Sequence, residues 1–94
     1  MKTGDASAEI WLETADGAFY CLDVCSKLRR GVRVYHWAVD FYADDDEATE
    51  PVEVAAGRCT SYRLAEKAAR RTADENEAKR RAAKKRARSG WSLE

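Results

Sequence analysis

The strongest candidate functional residues in this sequence are a cluster of cations near the end of the chain. Seven of the ten residues from 79 to 88 are basic and none is acidic. They are Lys79, Arg80, Arg81, Lys84, Lys85, Arg86 and Arg88. Such a cluster can bind phosphates or an acidic protein surface, although cations also suit the negative end of a helix dipole. We expect the cluster to contact a partner.

The rest of the chain has the opposite charge. Residues 1–57 contain five Lys and Arg against twelve Asp and Glu, a net charge of −7, and residues 58–94 contain twelve against five, a net charge of +7. The formal net charge of zero therefore hides two oppositely charged halves. Because a domain that binds nucleic acid directly usually carries net positive charge, this balance favours a protein partner. Direct binding of DNA or RNA by residues 79–88 is the alternative.

A second charged cluster lies in residues 43–51, with the sequence ADDDEATEP. Its acidic members before Thr49 are Asp44, Asp45, Asp46 and Glu47. The spacing of these acids does not match a calcium-binding loop. Three interpretations stay open: a solvated loop, a mimic of phosphates that occupies a basic groove on a nucleic-acid-handling protein, and a segment neutralised by the basic cluster of the same chain. We expect the loop to be a second contact.

Three cysteines and the only histidine raise the question of a metal or catalytic site. They are Cys21, Cys25, Cys59 and His36. Two cysteines four residues apart on one strand are about 13 Å apart, too far to share a zinc ion. Motifs for phosphate binding, metalloproteases and nucleophile elbows are missing from the sequence. We therefore expect buried cysteines and neither cofactor, metal nor enzymatic activity. A thiol- or zinc-dependent activity at these four residues, such as a Cys–His pair, is the open alternative.

The length and composition place these residues in one domain, residues 1–92. The closing residues 93–94 are typical of a linker that precedes a purification tag, so they are left out of functional reasoning. The sequence has no run of 18 apolar residues that predicts a membrane span, and its start lacks the apolar stretch of a signal peptide. The odd number of cysteines agrees with reduced thiols. We expect a cytoplasmic protein without membrane contact.

The first predicted elements are two strands joined by a tight turn. Glu9 to Thr14 and Phe19 to Val24 are rich in residues that favour strands. The dipeptide Asp16-Gly17 between them favours a two-residue type I′ turn. Such a turn would place Leu12 opposite Cys21.

The clearest strand follows a connection at residues 26–31. From Val32 to Tyr42 the apolar residues alternate, which places Trp37 on one face and Tyr42 on the other. Residues 52–54 predict a short fourth strand at an edge, because Pro51 cannot donate to a sheet ladder. We expect Gly57 to end the sheet, so that the sheet occupies residues 8–56.

One long helix is predicted over residues 60–89. Thr60 or Ser61 can cap its first turn, and Gly90 is the expected stop. Its small and apolar residues recur every three or four positions, at Tyr62, Leu64, Ala65, Ala68, Ala69, Thr72 and Ala73. The opposite side carries three acid–base pairs four residues apart, namely Glu66–Arg70, Glu75–Lys79 and Glu77–Arg81. Residues beyond Ala73 have little to bury, so we expect them to project or to lie along an edge.

The aromatic residues should mainly form the core, because so short a domain needs them inside. The set is Trp11, Tyr20, Tyr35, Trp37, Phe41 and Tyr42. Those on the face away from the helix, such as Trp11 or Tyr42, are candidates for a partner or homodimer interface.

Strands around Trp37, a break at Gly57 and a helix through Ala65–Arg71, in a short chain of polarised charge, resemble the small accessory proteins of phages and mobile elements, including anti-CRISPR inhibitors. The resemblance implies a non-enzymatic domain that acts by binding. The expected fold is α+β, an antiparallel β-meander of three to four strands followed by one long C-terminal α-helix. We expect it to dock on, and inhibit or regulate, a protein complex that handles nucleic acid.

Overall fold

Four strands and one helix make up the structure, a computed structural model that describes residues 6–44 and 50–92, with side chains of residues 7–44 and 50–86. The elements are β1 (Ala6–Glu13), β2 (Phe19–Arg29), β3 (Val32–Tyr42), β4 (Val52–Cys59) and α1 (Tyr62–Ser92). The strands form one antiparallel sheet in the order β1-β2-β3-β4. The predicted α+β meander followed by a helix is confirmed.

The turn between β1 and β2 is one residue longer than the sequence predicts. The Thr14 N–H donates to the Ala18 carbonyl at 2.8 Å, and the Gly17 N–H donates to the Thr14 carbonyl at 3.2 Å. Gly17 has a φ of 87°, so the loop is a turn closed by a left-handed glycine, a common three-residue hairpin. Leu12 therefore lies opposite Tyr20, and the predicted pairing of Leu12 with Cys21 was wrong.

The predicted connection at residues 26–31 was also wrong, because β2 continues to Arg29 and pairs with β3 up to the turn. Arg30 and Gly31 alone connect the strands, with φ values of 51° and 79°. Two successive left-handed residues define a type I′ turn, whose twist suits a hairpin. The type I′ turn thus occurs here, and not at Asp16-Gly17.

Replacing Arg30 with asparagine is expected to raise the free energy of unfolding by about 0.5–1 kcal/mol, because asparagine tolerates the left-handed conformation better than arginine does. Urea denaturation of the two proteins measures the difference. Arg29→Asn, which removes the same charge from an adjacent strand position, is the control and should be neutral or destabilising. Equal stabilisation in both variants would contradict the backbone explanation.

The fourth strand is longer than predicted. β4 pairs with β3 from Val52 to Cys59, with a register shift beside Val39 and Asp40. Gly57 lies within this strand, opposite Trp37, and does not end the sheet. In the described chain the sheet therefore covers residues 6–59, where 8–56 was expected. The edge position of this strand is confirmed.

The helix begins where its cap predicts. The Leu64 N–H donates to Ser61 Oγ at 3.2 Å, so Ser61 caps the helix. The helix does not stop at Gly90 but continues to Ser92, because a glycine in a helix costs only about 1 kcal/mol relative to alanine. Two of the predicted pairs are present, Glu66–Arg70 at 3.0 Å and Glu77–Arg81 at 3.3 Å. The third, Glu75–Lys79, is not among the ion pairs of the described residues.

The core lies between the helix and one face of the sheet. Ala65, Ala69 and Ala73 are buried on the helix, which confirms these three members of the small-residue stripe. Ala69 and Ala73 pack in one cluster with Leu22 and Val39. Tyr62 and Leu64, also assigned to the stripe, are 40% and 49% exposed. Alanine lets the helix approach the sheet closely, and larger side chains around it supply the apolar area. They are Ile10, Leu12, Trp37, Phe41 and Val54.

The opposite face of the sheet is not covered by any element of the described chain. We call it the open face. Its residues follow from the register, since paired residues point to the same side and Leu22 and Val39 face the helix. The open face carries Glu9, Trp11, Cys21, Asp23, Asp40 and Tyr42.

Candidate functional site

The predicted basic cluster is divided between structural and exposed cations. Arg80 donates to Glu77 at 3.0 Å and to Asp16 at 2.7 Å, and its guanidinium lies 5.0 Å from the centre of the Phe41 ring. Lys84 forms an ion pair with the same Asp16. These two cations therefore fasten the helix to the turn between β1 and β2.

A tyrosine extends this contact into the core. Tyr20 Oη donates to Glu77 at 3.0 Å and accepts from Asn76 Nδ2 at 2.8 Å. Hydrogen bonds from Arg80 and Lys84 hold the pKa of Asp16 well below its usual range. Burial alone would raise the pKa of Glu77, but the hydrogen bonds from Arg80 and Tyr20 outweigh burial and lower it. We call Asp16, Glu77, Arg80 and Lys84 the turn–helix clamp.

The other cations of the cluster that have described side chains are exposed. Lys79, Lys85 and Arg86 are exposed and form no ion pair within the described residues. The Arg81 side chain is 64% exposed and pairs with Glu77. The side chain of Arg88 lies outside the described residues. The predicted contact surface is therefore smaller than the seven cations of the sequence, although helical backbone continues past it.

Only one end of the predicted acidic loop can be placed. Asp44 is exposed just after β3. Asp45, Asp46 and Glu47 lie outside the described residues. The loop as a second contact stays a prediction.

An aromatic pair from β1 and β3 lies on the open face. The rings of Trp11 and Tyr42 lie 5.1 Å apart between centroids and are tilted by 47°. Trp11 is 51% exposed, although it comes from the middle of β1. Cys21, directly opposite Trp11 on the strand between the two rings, is only 2% exposed. The expectation that Trp11 and Tyr42 lie on the face away from the helix is confirmed.

Three carboxylates lie beside this aromatic pair. Glu9 lies opposite Asp23, and Asp40 lies opposite Cys21. Glu9 accepts a hydrogen bond of 3.1 Å from Trp11 Nε1. Partial burial, together with the negative charges of Glu9 and Asp40, raises the pKa of Asp23. The open face therefore concentrates negative charge that no described cation neutralises in an ion pair.

The three cysteines and the histidine do not come together as the four ligands of one zinc ion. Cys21, Cys25 and His36 lie on the open face, whereas Cys59 pairs with Tyr35 on the helix side. All three thiols are free. The ligand atoms of Glu9, Cys21 and Asp23 lie within 4.8 Å of one another. Burial, and then the charge of Asp23, raises the pKa of Cys21 to about 12, so the thiol stays protonated at neutral pH and is a poor nucleophile.

Comparison with protein-family models, with curated proteins and with solved structures finds no match to this chain. No helix in the described part of the chain combines the length and the apolar character needed to cross a membrane.

Proposed function

We propose that this chain is a non-enzymatic binding protein that docks on a protein complex handling nucleic acid and inhibits or regulates it. The observation that supports this proposal is the open face, where exposed Trp11 contacts Tyr42 beside three carboxylates. Proteins that handle nucleic acid present cationic surfaces to phosphates. An acidic surface around aromatic anchors is complementary to such a partner.

The chemistry of the contact follows from these groups. Lysines or arginines of the partner would pair with Glu9, Asp23 and Asp40, and an arginine can also stack on Trp11, which is worth about 0.5–2 kcal/mol. The raised pKa of Asp23 means that its charged form costs folding free energy at neutral pH. A cationic partner would recover that cost on binding. The resemblance to anti-CRISPR inhibitors, acting in a host cytoplasm, agrees with this role.

The exposed end of the helix supplies a second contact in this proposal. Lys79, Lys85 and Arg86 would meet an acidic patch of the complex, and residues 44–47 would add to the acidic surface. Direct binding of DNA or RNA by the helix end is the second candidate function. It is favoured by the exposure of the same three cations on a helix that continues beyond the clamp.

Neutralising the open face with Glu9→Gln, Asp23→Asn and Asp40→Asn is expected to weaken partner binding by at least tenfold. The Asp23→Asn change should not lower stability, because a carboxyl whose pKa is raised in the folded state destabilises that state above its pKa. Affinity capture of the nucleic-acid-handling complex from nuclease-treated source cells, followed by titration with the purified complex, measures the loss.

The matched control is Glu66→Gln, Asp74→Asn and Glu75→Gln, which removes three acids of the helix outside the proposed contacts. Equal loss in both triple variants, or none in the first, would contradict the role of the open face. The second candidate predicts salt-sensitive retention of duplex DNA or RNA in a gel shift, abolished by Lys79→Glu, Lys85→Glu and Arg86→Glu. Lys84 is left out of that variant because it belongs to the clamp.

A further inference from the structure

The hairpin of β2 and β3 extends beyond both neighbouring strands of the described chain. Within the described residues, the pairing of β1 with β2 reaches Ser26 and the pairing of β4 with β3 begins at Tyr35. In this described part of the chain, residues 27–34 form a two-stranded ribbon, which we call the hairpin tip. It contains the pairs Lys27–Val34, Leu28–Arg33 and Arg29–Val32. At about 3.4 Å per residue the tip projects roughly 10 Å from the sheet.

The hairpin tip carries all the positive charge of the sheet up to Gly57. Every Lys and Arg between residues 6 and 57 lies in the tip, at Lys27, Arg29, Arg30 and Arg33. Lys27, Arg29 and Arg30 are exposed, and Arg33 donates to Ser26 Oγ at 3.1 Å. The nearest acid along β2 is Asp23, about 13 Å from Lys27 at the usual strand rise. The acidic N-terminal half thus ends in a cationic projection.

We propose that the hairpin tip binds duplex DNA, entering the major groove and contacting phosphates through Lys27, Arg29 and Arg30. A major groove of DNA, about 12 Å wide and 8.5 Å deep, admits a two-stranded ribbon. The length of the tip matches that depth. The type I′ turn holds Arg30 at the apex, so the ribbon needs little reorganisation before it binds.

The arrangement of side chains favours a groove over a lipid surface. Leu28 is 53% exposed and Val32 is 63% exposed. They occupy opposite faces of the ribbon, since Leu28 pairs with Arg33 and Val32 pairs with Arg29 on the next rung. A membrane surface would engage apolar side chains from one face, whereas a groove contacts both faces at once.

This site is separate from the surfaces of the proposed function. The helix end lies beside the turn between β1 and β2, fastened by the clamp, whereas the tip lies at the other end of these strands. A protein docked through its open face would be able to reach nucleic acid through the tip. A variant can lose binding at the open face without losing binding at the tip, and the reverse, so each contact can be tested without the other.

The test is fluorescence anisotropy with a labelled 20-base-pair DNA duplex of arbitrary sequence and the matching RNA duplex, at several salt concentrations. Wild-type protein should bind the DNA duplex with a log–log salt slope of about −3, as expected for three phosphate contacts. Lys27→Glu/Arg29→Glu should weaken binding at least tenfold and flatten that slope. The control Lys67→Glu/Arg71→Glu makes the same change in net charge on the exposed side of the helix and should weaken binding less than threefold.

Thermal unfolding and far-ultraviolet circular dichroism check that both double variants fold, and Lys27→Ala/Arg29→Ala replaces the first if it does not. Several results would overturn the proposal: no binding of the DNA duplex by the wild type, equal loss in both double variants, or loss only in Lys79→Glu/Lys85→Glu. Binding to vesicles of anionic phosphatidylserine without binding to either duplex would also overturn it, in favour of a membrane contact.

Discussion

Replacing Gly57 with alanine is expected to lower the free energy of unfolding by about 1–3 kcal/mol, the usual cost of overpacking. A Cβ at this position would lie 2.8 Å from Trp37 Nε1 and 2.9 Å from the ring carbons Cε2 and Cζ2. The indole is rigid and packs against the core, so it cannot move aside as a flexible side chain would. For a domain of this size, each kcal/mol corresponds to about 4–8 °C in the unfolding temperature.

The sign of this effect separates the steric explanation from the entropic one. Without a clash, alanine in place of glycine stabilises by about 0.4–1 kcal/mol, because it restricts the unfolded chain. Trp37→Leu removes the ring, so adding Gly57→Ala to that variant should cost at least about 1 kcal/mol less than adding it to the wild type. Calorimetry or urea denaturation of the four proteins measures the coupling. Strict additivity would show that the indole is not responsible.

The fold class follows from features that are local in sequence. Alternation from Val32 to Tyr42 predicts the central strand, and uninterrupted helix-forming composition after Thr60 predicts the helix. The register between β1 and β2 does not follow, because apolar side chains occur on both faces of these strands and alternation alone cannot choose between pairings. The choice depends on Thr14, whose Oγ1 accepts the Ala18 N–H at 2.9 Å and supports the longer loop.

The candidate surfaces depend more strongly on contacts between distant residues. Arg80 and Asp16 are 64 positions apart in the sequence, so no periodic pattern signals their pairing. The open face could be predicted only in part. The alternation of side chains along β3 places Tyr42 on the face opposite Trp37, but it does not show which residues of the other strands lie beside Tyr42. The crowding of Glu9 beside Asp23 requires the register of two strand pairs. The sequence did contain a signal for the hairpin tip, because four of the seven residues from 27 to 33 are cations and they lie around an Arg-Gly turn.

Charge in the folded chain is arranged in three zones, although the sequence suggests two halves. The cationic tip lies at one end of the strands, the acidic open face spans the middle, and the exposed helix cations lie toward the other end. Lys27 of the tip lies about 13 Å from Asp23 of the open face at the usual strand rise. Since the Debye length is about 8 Å at physiological salt, each zone can attract its own partner.

Replacing Arg80 with alanine is expected to lower the free energy of unfolding at pH 7 by about 1–3 kcal/mol, the range for removing a charged partner from a partly buried hydrogen-bonded group. The guanidinium side chain is 22% exposed and that of Glu77 is 16% exposed. Without Arg80, Glu77 keeps its burial but loses its principal donor, and the Phe41 ring loses its cover. Urea denaturation measures the change, with Arg81→Ala as the control. Arg81 also pairs with Glu77, but its side chain is 64% exposed, so its removal should cost less than about 1 kcal/mol.

The pH dependence of this loss identifies its electrostatic origin. The pKa values of Asp16 and Glu77 are lowered in the folded protein, so their stabilisation is present above the ordinary carboxyl pKa of about 4 and is lost as the pH falls toward the lower folded values. Arg80→Ala should therefore cost more at pH 7 than at pH 3, because at pH 3 the carboxyls of the unfolded chain bind protons and the lowered pKa values stabilise the folded wild type less. An equal cost at the two pH values would assign the effect to packing on Phe41. A cost no greater than that of Arg81→Ala would show that the clamp does not hold the helix. The exposed cations of the basic cluster lie next to Arg80 or beyond it along the same helix. The comparison of Arg80→Ala with Arg81→Ala therefore also tests whether the clamp holds the helix end, and with it the proposed contact surface, in one orientation on the sheet.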